Sequence, residues 1–303
     1  MDIAARYNGR PPALHAQDIG SSVLEFIFMK KTSKERAEAR SEFLVAATAT
    51  ATAAEPNLGT KSVENAIAIL LAFADATHPL GVSEIARGIG MHKSTVSRQL
   101  ATLSRVDFVK REEGSPRYTL GLGLLPLAAA ALANHRLSAR ARLQLEMLAR
   151  ETGENVTFSG WNGHDAINLE EISGKQGNQR VAPPGRLNPA HCTATGKVFL
   201  ASLSSADLQR RLSEPLKQYT DHTITDPKIL TESLSAARER GAAISDGEFR
   251  SDIWAVAAPI VSRDGVTRYS IAITIPSYRR ESKPLESLLA PLLFAAGSIA
   301  EEL

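Results

Sequence analysis

The chain has 303 residues, 43% of them hydrophobic, with a single cysteine and Lys+Arg 35 against Asp+Glu 33, a formal charge of +2. That is apolar material for about two domains with cores of their own, which excludes a disordered polymer; the lone Cys192 excludes an internal disulfide framework, and no Cys or His cluster stands at zinc-ligand spacing. The near-neutral balance leaves affinity for nucleic acid to local charge placement, and the longest strongly apolar run near the start, 23–29, is far short of the roughly 20 residues of a membrane span, so a soluble protein of the reducing cytoplasm is expected.

Residues 1–60 differ from the rest: a start containing Pro and Gly, the charged stretch KKTSKERAEARSEF, then the low-complexity run AATATATAAE. They read as a mostly mobile extension, with Met29 as an alternative first residue. Compact structure is expected from Lys61, where Val63, Ile67, Leu70, Leu71 and Ala74 recur at helical spacing. A short helix over 83–89, a turn at Gly90 and a second helix over 93–104 follow, the last with Val96, Leu100 and Leu103 on one face. VDFVKRE and RYTLG are β-prone runs joined by Glu113-Gly114-Ser115-Pro116, a hairpin tip. The pattern over 61–121 is a helix-turn-helix followed by a wing.

A linker helix is expected over 122–136 and a second domain over 137–303. In the latter, NVTFSGW and AINLEEI flank the turn Asn162-Gly163-His164, and a loop rich in Gly, Asn and Pro leads to a helix starting near Cys192. TDPKILTESLSAARERG reads as a helix ended by Gly241, WAVAAPIVS and TRYSIAITI as a hairpin, and Leu285, Leu288, Leu289, Leu292, Leu293 and Ile299 as the stripe of a closing helix. The fold class is α+β in two domains, the second built on an antiparallel sheet.

In a helix-turn-helix the second helix buries one face and lays the other in the major groove. With Val96, Leu100 and Leu103 inward, the steps of about 100° put Ser94, Arg98, Ala101 and Arg105 outward, flanked by Thr95, Ser97 and Thr102. From Lys93 to Arg105 there is no acid. Hydroxyls and free amides at a helix start suit phosphate oxygens, and Arg98 has the fork that pairs with guanine O6 and N7. Small Ala86 and the turn glycine Gly90 permit close helix packing, and Lys110, Arg111 and Arg117 on the wing are expected to reach adjacent phosphates or a minor groove.

The segment 62–125, with HCTATGKVFLASL, TITDPKILTESLSAARERGAAISDGEF and AVAAPI in order behind it, resembles the IclR family of bacterial regulators over residues 61–303. The resemblance implies a winged helix for operator DNA, a GAF-like sensor domain, and dimers that often pair into tetramers, acting as repressors or activators of catabolic genes; no cofactor is implied. It also implies an effector pocket. Matched residue by residue, that pocket takes Ala194, Thr195 and Gly196 for backbone N–H donors, then Ser245, Ala255, Ala272 and Thr274. Relatives sensing small 2-oxo acids tend to carry Asp, Cys and two Ser at the last four positions. The set here is less polar, so a pocket of larger apolar content is expected, suited to an aromatic or bulky acid, and PAHCTATGK resembles the branch that senses aromatic acids. Arg180 and Asn188 are expected to bind a carboxylate and a hydroxyl, and Trp254, like Trp161, to serve as core or stacking wall.

Three other signals point elsewhere. Gly196-Lys197 echoes a phosphate loop, but the earlier glycine is His191 and Val198 replaces the needed Ser or Thr, so ATP binding is rejected. His191-Cys192 raises a thiol hydrolase, yet adjacent side chains seldom face each other and a lone cysteine at a helix start reads as a small buried residue. Asp246, Glu248 and Arg250 read as a solvated strand end, with a tetramer contact as the alternative, and His164 as an exposed turn residue. A hydrolase with a fused winged helix, and a protein-interaction module, are the two competing readings.

Overall fold

The computed structural model describes residues 60–74, 76, 78–176 and 182–303. The expectations for 1–59, and for Arg180, lie outside the described residues. The chain divides into two compact units between Leu124 and Leu125.

The N-terminal unit runs α1 (Lys61–Leu71), β1 (Leu80–Gly81), α2 (Val82–Gly88), α3 (Lys93–Ser104), β2 (Val109–Arg111) and β3 (Arg117–Leu120). The strands form an antiparallel sheet in the order β1-β3-β2, with Leu80 opposite Tyr118 and Lys110 opposite Thr119. Gly90 sits between α2 and α3 at φ 66, a left-handed conformation that glycine adopts without a Cβ penalty. Ile69, Phe73, Ile85, Ala86, Val96, Leu100, Leu103 and Val109 make one core, and full burial of each large side chain contributes about 1.5–3 kcal/mol.

Two local expectations need correction. The stripe expected to bury α1 is mostly outside it: Val63 and Ile67 are 56% and 52% exposed, while Ala68 and Ile69 are buried. The helix carries two apolar faces, and α3 packs on the one holding Ile69. The first wing strand is also shorter than VDFVKRE, because Asp107 takes φ 53 and turns the chain before Val109.

That turn fixes the exit from the wing. The Gly121 N–H donates to the Phe108 carbonyl and the Gly123 N–H to that of Asp107, each at 2.9 Å, while an Asp107 carboxylate oxygen accepts from the Leu122 N–H. A Cβ added at Gly121 would stand 2.0 Å from the Asp107 carbonyl oxygen. Backbone cannot yield there without breaking these bonds, so Gly121→Ala should lower the thermal midpoint of this unit by several degrees, measured by circular dichroism; an unchanged midpoint would show that the crossing is loose.

The C-terminal unit begins with α4 (Leu125–Ala133) and α5 (Ala139–Thr152), the latter capped by the Ser138 hydroxyl and ended by Gly153 in the left-handed region. Then come β4 (Asn155–Trp161), β5 (Ala166–Ile172), β6 (Leu187–Asn188), α6 (Ala194–Ser202), α7 (Ser205–Leu212), α8 (Pro227–Arg240), β7 (Ala243–Asp246), β8 (Ile253–Val261), β9 (Thr267–Pro276) and α9 (Leu285–Ala300). The antiparallel sheet has the order β6-β5-β4-β9-β8-β7, which establishes the α+β class.

Strand alternation gives the sheet two different faces. Val156, Phe158, Trp254, Val256, Ile260, Ile271, Ile273 and Ile275 pack with Leu145 and Leu148 of α5 and Leu288 and Leu292 of α9 in the main core. Leu293, expected on the buried stripe of α9, is 39% exposed. The opposite face carries small residues, Ala243, Ala257 and Ala272, against Ala194 and Val198 of α6 and Ala237 of α8. Large side chains seal one face. The small ones leave room on the other.

Candidate effector cavity and nucleic-acid interface

Register assembles the cavity on the small-residue face. One cross-strand row runs Ser245, Ala255, Thr274, Asn155 over β7, β8, β9 and β4. The next runs Ala257, Ala272, Thr157, Glu171 over β8, β9, β4 and β5. Above them, the Ser245 hydroxyl donates to the Cys192 carbonyl at 2.9 Å, tying the start of α6 over β7. Together these elements enclose a cavity of about 110 Å³, room for a small organic molecule and less than the ~300 Å³ at which sites for drug-sized ligands begin.

Of the residues matched from the resemblance, Asn188, Ala194, Thr195, Ser245, Ala255, Ala272 and Thr274 line it. Gly196 does not. Its N–H donates to the Thr193 hydroxyl at 3.1 Å, and an added Cβ would lie 2.4 Å from the Ala190 Cα; the glycine serves close packing rather than ligand contact. Trp254 is also elsewhere, 3% exposed in the main core on the opposite face, because its neighbour Ala255 takes the cavity side. Trp161 stacks on Phe199 at 5.1 Å between ring centres.

Sequence reasoning missed the β4–β5 side: Asn155, Thr157, Asn168, Glu171 and Arg186 line the cavity, as do Thr193, Phe249 and Arg250. Eleven of the seventeen lining residues are polar, although most of the surface they turn to the cavity is apolar. Of the two lining arginines, Arg250 is paired to both carboxylate oxygens of Asp252, at 3.1 and 2.7 Å. Glu171 accepts from the Asn155 side-chain amide and from the Ala182 N–H, each at 2.9 Å, while burial raises its carboxyl above the usual range. Asn168 donates to the Ala182 carbonyl at 2.7 Å, and its carbonyl oxygen has no hydrogen-bond partner among the described residues.

Beside the cavity lies a buried ion pair. Lys197, 1% exposed, meets Glu248, 6% exposed, at 2.5 Å and also donates to the Ile244 carbonyl at 3.1 Å. The expected solvated strand end is therefore wrong for Glu248. Burial pushes its carboxyl upward even so, opposed by the Lys197 charge. His164 is part-buried against Asp165 at 3.0 Å rather than exposed.

The His191-Cys192 pair makes no nucleophile. Cys192 is fully buried and burial drives its thiol well above the usual range; His191 Nε2 donates to the Lys217 carbonyl at 2.8 Å. A neutral, walled-in thiol should resist a water-soluble disulfide reagent at pH 8 in the folded protein and react after denaturation; rapid native labelling would contradict this burial.

In the N-terminal unit, Val96, Leu100 and Leu103 of α3 are buried while Lys93, Ser94, Ser97, Arg98, Thr102 and Arg105 are exposed and Thr95 is half-buried. His92 at the cap makes no side-chain bond to the first turn, and the Thr95 N–H donates to the His92 carbonyl at 3.0 Å, leaving the Lys93 and Ser94 amides to an external acceptor. Arg117 departs from its expected role: Nη1 donates to the Pro79 carbonyl and to Glu84, both at 2.8 Å. It clasps the wing to α2. The Gly81 N–H, with Arg117 and His78, holds the Glu84 carboxyl below its usual range. Lys110 and Arg111 are the exposed wing cations.

Comparison with known proteins agrees with this two-part arrangement. The model of the IclR helix-turn-helix domain matches residues 62–113, and that of the bacterial transcriptional regulator IclR C-terminal domain matches 129–301. The chain is 31% identical over 245 residues to the glycerol operon regulatory protein of Streptomyces coelicolor, covering 80% of this chain and 96% of that one. It is 30% identical to the HTH-type transcriptional regulator KdgR of Escherichia coli, over 74% of this chain and 86% of that one. A crystal structure of an IclR transcriptional regulator from Alicyclobacillus acidocaldarius superposes with a TM-score of 0.68 at 28% identity, over 80% of this chain and 98% of that one.

Proposed function

Since the chain belongs to the IclR family of bacterial transcriptional regulators, and is a regulator rather than an enzyme, we propose that it controls catabolic genes in the cytoplasm by releasing or engaging operator DNA when a small organic acid fills the cavity of its C-terminal domain. The observation that supports the ligand class is the start of α6 at the cavity: Ala194 and Thr195, which line it, belong to the first turn, where free amides and the positive end of the helix favour an anion. Ser94, Thr95, Ser97, Thr102 and the amides of the first turn of α3 meet phosphates, with Lys93 and Arg105; Arg98 reads a base edge.

Domain limits of 61–121 for the winged helix, 122–136 for a linker helix and 137–303 for the sensor go with this reading. So does self-association. No residue of α4 is buried, with Leu125 and Leu127 60% and 57% exposed, and α1 presents Val63 and Ile67 as a second apolar stripe; apolar helix faces of this kind are covered in a dimer or a dimer of dimers. Among the described residues no helix is long and apolar enough to cross a membrane.

The test is a fluorescence-anisotropy titration of the full chain on its own upstream intergenic DNA and on scrambled DNA at near-physiological salt, with and without a panel of acids. Preference for the upstream DNA, altered by one acid, supports the reading. Binding that ignores both DNA sequence and every acid returns the chain to the interaction-module reading. A monomer at the working concentration would remove the self-association.

A further inference from the structure

Every residue from 125 to 136 is exposed, those of α4 included, so burial contributes little to holding that helix on its own domain. Its direction is set where it ends. The chain just beyond is anchored: Leu137 packs against the main core, Ser138 caps α5, and Arg140 pairs with Glu302. His135 stands between, and its N–H donates to the Leu132 carbonyl at 3.0 Å, continuing the last turn of α4. A tie on the His135 ring is therefore a tie on the end of the helix.

Tyr269 supplies that tie. Its hydroxyl meets His135 Nδ1 at 2.9 Å, donating when that nitrogen is bare and accepting when it is protonated, and the two rings stand edge to face with centres 5.9 Å apart. The Tyr269 ring packs against the main core and stacks on the buried Phe158 at 5.0 Å between centres. It also lies over Gly160, where an added Cβ would be 3.8 Å from Tyr269 Cδ1. Phe158 and Tyr269 belong to the paired strands β4 and β9, which line the cavity on the opposite face through Asn155, Thr157, Ala272 and Thr274. Since side chains alternate along a strand, a shift of β9 against β4 forced from the cavity moves Phe158 and Tyr269 on the reverse face. The directional hydrogen bond then carries that movement to His135.

We propose that His135 and Tyr269 form a latch that sets the direction of α4 on the sensor domain, and that β4 and β9 pass the state of the cavity to the linker through it. Both are positioning residues: neither lines the cavity, and neither lies in the DNA-binding unit. The inference rests on the reading of the chain as a ligand-responsive operator-binding regulator.

The experiment is hydrogen exchange and operator anisotropy on the full chain for the native protein, Tyr269→Phe, His135→Ala, the double variant and His135→Gln. Tyr269→Phe keeps the ring on Phe158 and removes only the hydroxyl. The expected result is exchange faster by about 2- to 10-fold across 125–136, the change that one lost hydrogen bond produces, with α5 and the thermal midpoint as in the native protein. Affinity for the upstream intergenic DNA changes by a similar factor while scrambled DNA binds as before, because the spacing of two reading heads matters only on paired half-sites. The double variant is no worse than either single one, since both remove the same bond, and His135→Gln, which keeps a polar partner for the hydroxyl, restores part of the effect. Transmission is read with Thr274→Leu, which fills part of the cavity from β9: it alters exchange across 125–136 when Tyr269 is present and not when Phe replaces it. Unchanged exchange and operator affinity in Tyr269→Phe overturn the latch. Additive effects in the double variant do so as well, as does a lower midpoint with equal loss on both DNAs, which marks a merely structural role. The same response to Thr274→Leu in both backgrounds, or in neither, overturns the transmission. A native protein without preference for the upstream DNA fails the operator reading instead, and the exchange data then decide the latch alone.

Discussion

Lys197→Met is expected to destabilise the C-terminal domain by about 3–5 kcal/mol, the cost of leaving a buried charge without its partner. Glu248 stays where it is, because the Thr223 and Thr220 hydroxyls hold the carbonyls of Glu248 and Gly247 at 2.6 and 2.7 Å. Without the ammonium its carboxyl, already pushed up by burial, takes up a proton in the folded state at a pH where the unfolded chain stays ionised. The folded variant then binds more protons than the unfolded one, so its stability falls as pH rises between the two pKa values. The deficit relative to the native protein should therefore be smallest below the ordinary glutamate range and complete above the raised pKa. Urea unfolding across pH 4 to 8 measures it. Combining Lys197→Met with Glu248→Leu should recover most of the loss, since a buried pair replaced as a unit costs little. A single-variant deficit under about 1 kcal/mol at pH 8 would mean that water reaches the pair. Phe249 and Arg250 follow Glu248 in the chain and line the cavity, so weaker effector binding should accompany the destabilisation.

Lys197 and Glu248 mark a limit of what is legible in the sequence. They lie 51 residues apart, and each reads locally as something else: the lysine as a fragment of a phosphate loop, the glutamate as one charge in a solvated run. Only the packing of α6 over β7 joins them. The faces of α3 were readable because its apolar residues follow one helical stripe, with Val96, Leu100 and Leu103 buried as the spacing requires. In α1 the same rule misleads, since Val63-Ile67 and Ile69-Phe73 are both at helical spacing and periodicity cannot choose which stripe meets α3. The cavity divides the same way. Ala255, Ala272 and Thr274 come from one recognisable hairpin, whereas Asn155, and with it the neighbouring hairpin that carries Glu171, joins them only through the register of β4 with β9, a pairing no local pattern encodes. Arg117 looked like a phosphate contact because a cation on a wing is a reasonable candidate; its carboxylate partner, Glu84, lies 33 residues earlier.

Arg98→Ala should weaken binding to the cognate operator by about 1–3 kcal/mol and relax the base preference at one position of each half-site, with much smaller loss on scrambled DNA. The side chain is exposed on the face of α3 opposite the buried Val96 and Leu100, and truncating it removes a bidentate donor without disturbing the core. Lys110→Ala on the wing gives the contrasting pattern: a uniform loss across sequences and a salt dependence shallower by about one counterion. Arg117→Ala separates from both, because removing the clasp to Glu84 and Pro79 loosens the wing itself; its loss should come with a lower thermal midpoint of the DNA-binding domain. Anisotropy titrations at several salt concentrations on cognate and scrambled duplexes distinguish the three. Equal loss for Arg98→Ala on both duplexes would make it one more phosphate contact, and would move sequence recognition toward Ser97, Thr102 or the shape of the DNA.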